Sequence, residues 1–137
     1  MKRKSEEKLQ SDCFIWFNNT YCLKNQNPRL AMMLVPNEIA MKVRGLLISE
    51  GVNPRIISKV IGIMHDSMKS TGLLDGASDN IIIAHEKVAF VEFKIGSNTQ
   101  QPNQKDFESR VTKLGHAYVV IRTIEDFKEF VKKFVSL

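Results

Sequence analysis

One segment constrains this chain more than any other: Val88-Ala89-Phe90-Val91-Glu92-Phe93-Lys94-Ile95. In an extended strand, side chains two apart share a face. Ala89, Val91, Phe93 and Ile95 then point one way, and all are apolar. Phe90, Glu92 and Lys94 point the other way, with Glu92 and Lys94 roughly 6–7 Å apart along the strand. The alternation predicts a strand with one face in a core and two opposite charges on its other face. A charge in a segment otherwise fit for burial needs a partner or a metal. A solvated face with a cross-strand ion pair is the plain alternative.

The preceding residues bear on that choice. Asn80–Ala84 reads as a short strand, and His85-Glu86-Lys87 as a tight connection, so 80–84 and 88–95 are expected to form an antiparallel hairpin. That pairing brings Asp79 or Asn80 near the level of Glu92 or Phe93. Two carboxylates about 5 Å apart repel by about 3 kcal/mol at an effective dielectric of about 20. A divalent cation turns the repulsion into binding, and carboxylate, carbonyl and water oxygens suit Mg²⁺ or Mn²⁺. Such a cation polarises a phosphate and lowers the pKa of an attacking water. Lys94 could orient that water or neutralise the charge that develops on phosphorus.

The rest of the chain supplies a frame. Residues 5–18 read as a helix with Ser5 as a cap candidate and Leu9, Cys13, Trp16 and Phe17 facing a core, stopped at Asn18-Asn19. Residues 23–29, with Pro28, read as loop, and Leu30–Val35 as a strand closed by Pro36-Asn37. A helix over 38–50, with Ile39, Val43, Leu46 and Leu47 as its apolar face, ends at Gly51. Asn53-Pro54 opens another, whose apolar stripe is Ile56, Ile57, Val60, Ile61, Met64 and Met68. Asn103 is expected to cap a helix running to about Leu114. Residues 117–122 form a further strand, and Thr123 caps a final helix faced by Ile124, Phe127, Phe130, Val131 and Phe134. Helices able to cover both faces of a small mixed sheet predict an α/β domain.

Length and charge limit the partners. A chain of 137 residues is enough for one domain with a real core. The net charge is +5, yet residues 73–99 carry −2, which leaves +7 on the remainder. An acidic centre on a basic body suits a protein that holds a cation beside a phosphate backbone. No run approaches the roughly 20 apolar residues of a membrane span. No signal-peptide pattern follows the basic start, so no membrane role and a cytoplasmic location are expected. Cys13 and Cys22 fit neither a zinc site nor a disulfide scaffold. His65, His85 and His116 form no ligand pattern, and Asp75 reads as a turn residue.

Four short motifs stand in order along these elements. They are Glu6-Glu7-Lys8-Leu9-Gln10, Gly76-Ala77-Ser78-Asp79, Glu92-Phe93-Lys94 and Gln104-Lys105-Asp106-Phe107. Gly115-His116-Ala117-Tyr118-Val119-Val120-Ile121 follows them. Together they resemble the PD-(D/E)XK nuclease core, and more narrowly the virus-type replication-repair nuclease (VRR-NUC) group, loosely over 5–37 and well over 68–128. The resemblance implies a restriction-endonuclease-like core within a single 1–137 domain, with a helical insert at about 38–67. That insert could be a cap, a DNA-contacting arm or a dimerisation surface. Ser78 stands where the broader superfamily often has proline.

Carried over residue by residue, the resemblance implies Glu6, Asp79 and Glu92 as ligands of Mg²⁺ or Mn²⁺, with the Phe93 carbonyl completing the shell and Lys94 as the catalytic lysine. Glu6 is preferred to Glu7 because it lies three and four residues before Leu9 and Gln10 on the helix. Gln104 is implied as a supporting catalytic residue and Gln10 as a phosphate-contacting one. Lys2, Arg3, Lys4, Arg110, Lys113 and Arg122 are further phosphate candidates. The implied activity is structure-specific DNA endonuclease on Holliday junctions or other branched intermediates, by a homodimer in a phage or bacterium. The alternatives are an inactive nucleic-acid-binding module with the same fold, or a restriction-type or flap nuclease.

Overall fold

The computed structural model describes the backbone of residues 2–23 and 30–136, and the side chains of these apart from residues 2–5 and 23. Its centre is the expected hairpin. β2 (Asn80–Ala84) and β3 (Lys87–Phe93) pair antiparallel, with Asn80 opposite Val91 and Ala84 opposite Lys87. The turn is His85-Glu86, where Glu86 takes φ 59°. β1 (Ala31–Leu34) adds antiparallel to β2, with Leu34 opposite Asn80. β4 (Ala117–Ile121) adds parallel to β3, with Phe93 opposite Ile121, so the sheet order is β1-β2-β3-β4. A parallel neighbour requires a crossover, and α4 (Pro102–Lys113) lies within it.

β3 ends two residues earlier than its alternation suggests. The Lys94 N–H still donates to the Ile121 carbonyl at 3.0 Å, and then Gly96, at φ 57°, turns the chain away. The strand expected over Leu30–Val35 is likewise trimmed to Ala31–Leu34.

α1 (Lys2–Phe17) and α5 (Ile124–Val135) cover one face of the sheet. Cys13 and Phe17 from α1 and Phe127 and Val131 from α5 meet Met32, Ile82, Ala89, Val91, Phe93 and Ile121. Each fully buried large apolar side chain contributes about 1.5–3 kcal/mol. Thr123 caps α5 as expected, its Oγ1 accepting the Asp126 N–H at 3.1 Å. Burial pushes the Cys13 thiol up to about 12, which makes it a packing group and not a nucleophile.

α4 covers part of the other face. Phe107 and Val111 pack with Ala77, Val35, Phe90 and Tyr118, and the Phe90 and Phe107 rings meet edge-on at 5.3 Å.

Four local expectations are corrected. Ser5 lies inside α1, which starts at Lys2 because Lys and Arg propagate helix well. The α-helix does end at Asn18-Asn19, after Phe17, but the chain does not leave the helical path there: it continues as a π-helical turn over Asn18–Leu23, and Tyr21 packs on Trp16 and Phe17. The cap of α4 is Gln101 and not Asn103: Pro102 fits the first helical position, and Gln104 Oε1 reaches back to accept the Gln101 N–H at 2.8 Å. The apolar stripe of the second inserted helix is only partly covered. α2 (Ile39–Ser49) and α3 (Pro54–Ser70) lie against each other, and a two-helix hairpin offers only a narrow mutual face. Of the six stripe residues Ile57 alone is buried, Ile61, Met64 and Met68 are half-buried, and Ile56 and Val60 are exposed. Among the described residues, no helix is long and apolar enough to cross a membrane.

Candidate functional site

Extending the β2–β3 register one step beyond Asn80–Val91 sets Asp79 opposite Glu92. Both fall on the face of the sheet that bears Phe90 and α4. Asp79 is held from several directions. Its Oδ2 accepts the Phe93 N–H at 2.8 Å, and its carbonyl accepts the Val35 N–H at 2.9 Å. The approach to it is fixed as well. Ser78 is fully buried and donates to the Asn80 carbonyl at 3.1 Å, while Asn37 Nδ2 donates to the Ala77 carbonyl at 2.6 Å. Gly76 sits at φ 83°, and a Cβ there would overlap the Asn103 carbonyl and press on the Gln104 nitrogen. Only glycine lets this loop lie so close to the start of α4.

Glu92 and Lys94 are both buried, with 2% and 8% of their surface exposed. Glu92 Oε1 accepts from Gln104 Nε2 at 2.7 Å and stands 3.4 Å from Lys94 Nζ. Glu92 Oε2 is buried and has no hydrogen-bond partner. A buried carboxyl oxygen without a partner is costly, and Glu92 is one of the residues that line a cavity of about 380 Å³. α1 contributes Glu6, Glu7 and Gln10 to its lining, and the sheet and α4 contribute Asp79, Glu92, Phe93, Lys94 and Gln104. Glu38, Met41, Lys42 and Gly45 close the far side.

The electrostatics follow from burial and like charge. Burial raises the Asp79 pKa; the Phe93 N–H opposes this, Glu38 adds to it, Lys94 lowers it and Glu6 adds a little. Burial raises Glu92 as well, Asp79 adds to that, and Lys94 pulls it back. Burial thus holds both carboxyls toward their neutral forms, and the Asp79 charge adds to this at Glu92.

The implied residues are distributed unevenly. Asp79, Glu92, Phe93, Lys94, Gln104, Gln10 and Glu6 all border one cavity. Glu6 Oε1 accepts from Asn98 Nδ2 at 3.0 Å, whereas Glu7 pairs with Lys42 at 2.6 Å near the surface. Among the described residues, no three His, Cys, Asp or Glu side chains are already gathered as a metal-ligand cluster. Gln10 spends its amide on Asn80 Oδ1 at 2.6 Å, and buried Asn80 donates on to the Met33 carbonyl. Arg110 and Lys113 stand exposed in the last turn of α4, remote from the Gln104 end that meets the cavity. Arg122 donates to the Gly96 carbonyl at 2.9 Å. The side chains of Lys2, Arg3 and Lys4 lie outside the described residues. Asp75 is exposed and bound to Lys69 at 2.8 Å, in keeping with a turn residue.

Sequence reading missed Glu38 and Asn98, and brought Asn80 near Glu92 without giving it a role. Glu38 follows Pro36-Asn37 and reads as a helix start, with nothing in its spacing to tie it to Asp79. Asn80 carried a weak signal, as a polar residue opening an apolar strand.

Asp79 and Glu92 supply the hard oxygen donors a small divalent cation takes, and the unpartnered Glu92 Oε2 fits such an occupant. Comparison of the chain with protein families, with curated proteins and with solved structures gives no match.

Proposed function

We propose that this chain is a Mg²⁺- or Mn²⁺-dependent phosphodiester hydrolase of PD-(D/E)XK type, within the VRR-NUC group, that cuts DNA. The observation that carries the reading is the pairing of Asp79 with Glu92 across β2 and β3, with Lys94 beside them and Glu92 Oε2 unsatisfied. A cation held by Asp79, Glu92 and the Phe93 carbonyl would polarise the scissile phosphate and lower the pKa of the attacking water. Gln104 fixes the Glu92 carboxylate through Oε1 and so leaves Oε2 for that cation. Lys94, fixed by burial, offers its ammonium to the negative charge that builds on the phosphoryl oxygens. The Phe93 N–H holds Asp79 in place, so little reorganisation is needed at the moment of reaction.

The basic remainder of the molecule favours a polyanionic substrate. A homodimer would bring two such centres to a symmetric four-way junction, and branched DNA is therefore the proposed substrate class. A non-hydrolysing binding module is the second reading. It draws on Glu6, which is turned to Asn98 and not gathered with Asp79 and Glu92 into a three-acid cluster. The deciding experiment is cleavage of linear duplex, single strand, flap, fork and four-way junction with Mg²⁺ or Mn²⁺. Metal-dependent cutting that is strongest on the junction is expected. Binding without cutting of any substrate would favour the second reading.

A further inference from the structure

We propose that the inserted α2–α3 hairpin is the surface through which two copies of this chain associate, as a four-helix bundle. The inference deepens the homodimer of the proposed function by naming its interface, and it rests on packing and not on the chemistry of the cavity. α3 carries two apolar seams at the alternating four- and three-residue spacing of helix-to-helix packing. Ile57, Ile61, Met64 and Met68 form the first, with Ile57 buried and the others half-buried. Ile56, Val60 and Ile63, continued by Ser67, form the second, displaced one residue toward the N-terminus. α2 repeats the pattern. Ala40 is buried and Val43 and Leu47 are half-buried, while Ile39 and Leu46 stand one residue before Ala40 and Leu47. The displaced residues Ile39, Leu46, Ile56, Val60 and Ile63 are 36% to 66% exposed.

A helix with two seams is built for two helical neighbours, and within this chain α2 and α3 pack mainly on each other. Antiparallel helices turn in opposite senses seen down one axis, so seams displaced alike from their shared contact lie on the same side of the pair. The five exposed residues therefore form one strip, on the order of 400 Å² of apolar surface, a size that marks an interaction site. A standard half-interface of about 800 Å², about 65% apolar in homodimers, needs about 500 Å² of such surface. The strip and the half-buried residues beneath it supply most of that. The flanking charges select a second copy as the occupant. Lys59 and Asp66 are both exposed, two helical turns apart along one edge of the strip. Where two α3 helices meet antiparallel across a two-fold axis, Lys59 of each copy falls beside Asp66 of the other. One surface then makes two opposite-charge contacts with itself.

Sedimentation equilibrium of the full chain, over about 1–100 µM, tests this. Wild type is expected at twice the chain mass, and Ile63→Glu should weaken the dimer about 100-fold or more. Ile48→Glu is the control, since Ile48 is similarly exposed on α2 but turned away from the strip, and it should match wild type. Lys59→Asp should weaken the dimer about 3–10-fold, and adding Asp66→Lys should restore it. Wild type that stays monomeric, or Ile63→Glu as associated as wild type, would overturn the proposal. So would a double reversal no tighter than Lys59→Asp, or Ile48→Glu as disruptive as Ile63→Glu. Monomeric wild type that floats with phosphatidylglycerol vesicles would make the strip a lipid surface and overturn it as well. Should Ile63→Glu fail to fold, the charge reversals, both at exposed positions, decide. Metal-dependent cutting by a monomeric wild type would sink the interface and leave the Asp79–Glu92 reading intact. A dimer broken by Ile63→Glu that cuts no DNA would do the reverse.

Discussion

The two faces of one sheet are built to opposite standards. Under α1 and α5, β3 presents Ala89, Val91 and Phe93 to a dry core in which Phe17, Phe127 and Val131 are almost fully buried. On the reverse face the same strand presents Phe90 to α4 and then Glu92 and Lys94 to a cavity. On the first face, removing a large buried side chain loses its burial and leaves a cavity. The second carries a buried and a half-buried carboxylate and an orphaned oxygen, and so holds unfavourable energy that protonation or a bound cation would relieve. One strand thus anchors the fold and strains the site, and stability and chemistry should respond separately to substitution.

The sharpest break in the comparison comes from the dry face. Phe127→Ala should cost about 3–5 kcal/mol in denaturant unfolding, with Phe107→Ala on the smaller reverse-face cluster costing less. Equal losses would show that the two clusters form one core. Lys94→Ala should reduce cleavage about 10²–10³-fold in single-turnover assays while DNA binding by gel shift is largely kept. Unchanged cutting by the purified variant would remove Lys94 from the chemistry.

Gly76 lies against the start of α4. Gly76→Ala must leave φ 83° or push Asn103 and Gln104 away, for about 1–3 kcal/mol of stability. Because Gln104 holds Glu92, a drop in activity larger than the drop in folded fraction is expected from kinetics on the soluble variant.

The wet face should show its strain as a pH dependence. Asp79 and Glu92 have folded pKa values above their unfolded ones, so the folded state binds protons more tightly. Their contribution to stability therefore falls as pH rises from about 4, the unfolded carboxylate range, through the raised folded range. Metal-free Glu92→Gln should lose less stability over that window and melt a few degrees higher, about 1 kcal/mol, at the alkaline end. A melt of Glu92→Gln that tracks wild type at every pH would deny the strain. The smallest effect is expected at Arg110 and Lys113. Alanine at either should lower the salt slope of DNA binding by about one and leave the chemical step alone.

Much of this was legible because it depends on local rules. Alternation put Glu92 and Lys94 on one face, and the expected hairpin brought Asp79 or Asn80 near Glu92 or Phe93; the structure, with Lys87 inside β3 and a two-residue turn, sets Asp79 opposite Glu92. Thr123 was readable as a cap because its partner lies three residues on. The rest depended on contacts between distant segments. The apolar stripe of α3 has helical period, but period does not say what covers it, and Ile56 and Val60 stay exposed. Asn103 looked like a cap until Pro102 placed Gln101 there.

By itself, then, the chain's order of residues determined the strand that carries the chemistry and which side chains share its polar face, since two-residue periodicity and turn length are local geometry. Only the tertiary structure decided that Gln104 holds Glu92, that Gly76 must lie against α4, and that Glu38 and Asp79 border one cavity. Those pairings join segments 12 to about 40 residues apart, and nothing short of the packed fold brings such segments together.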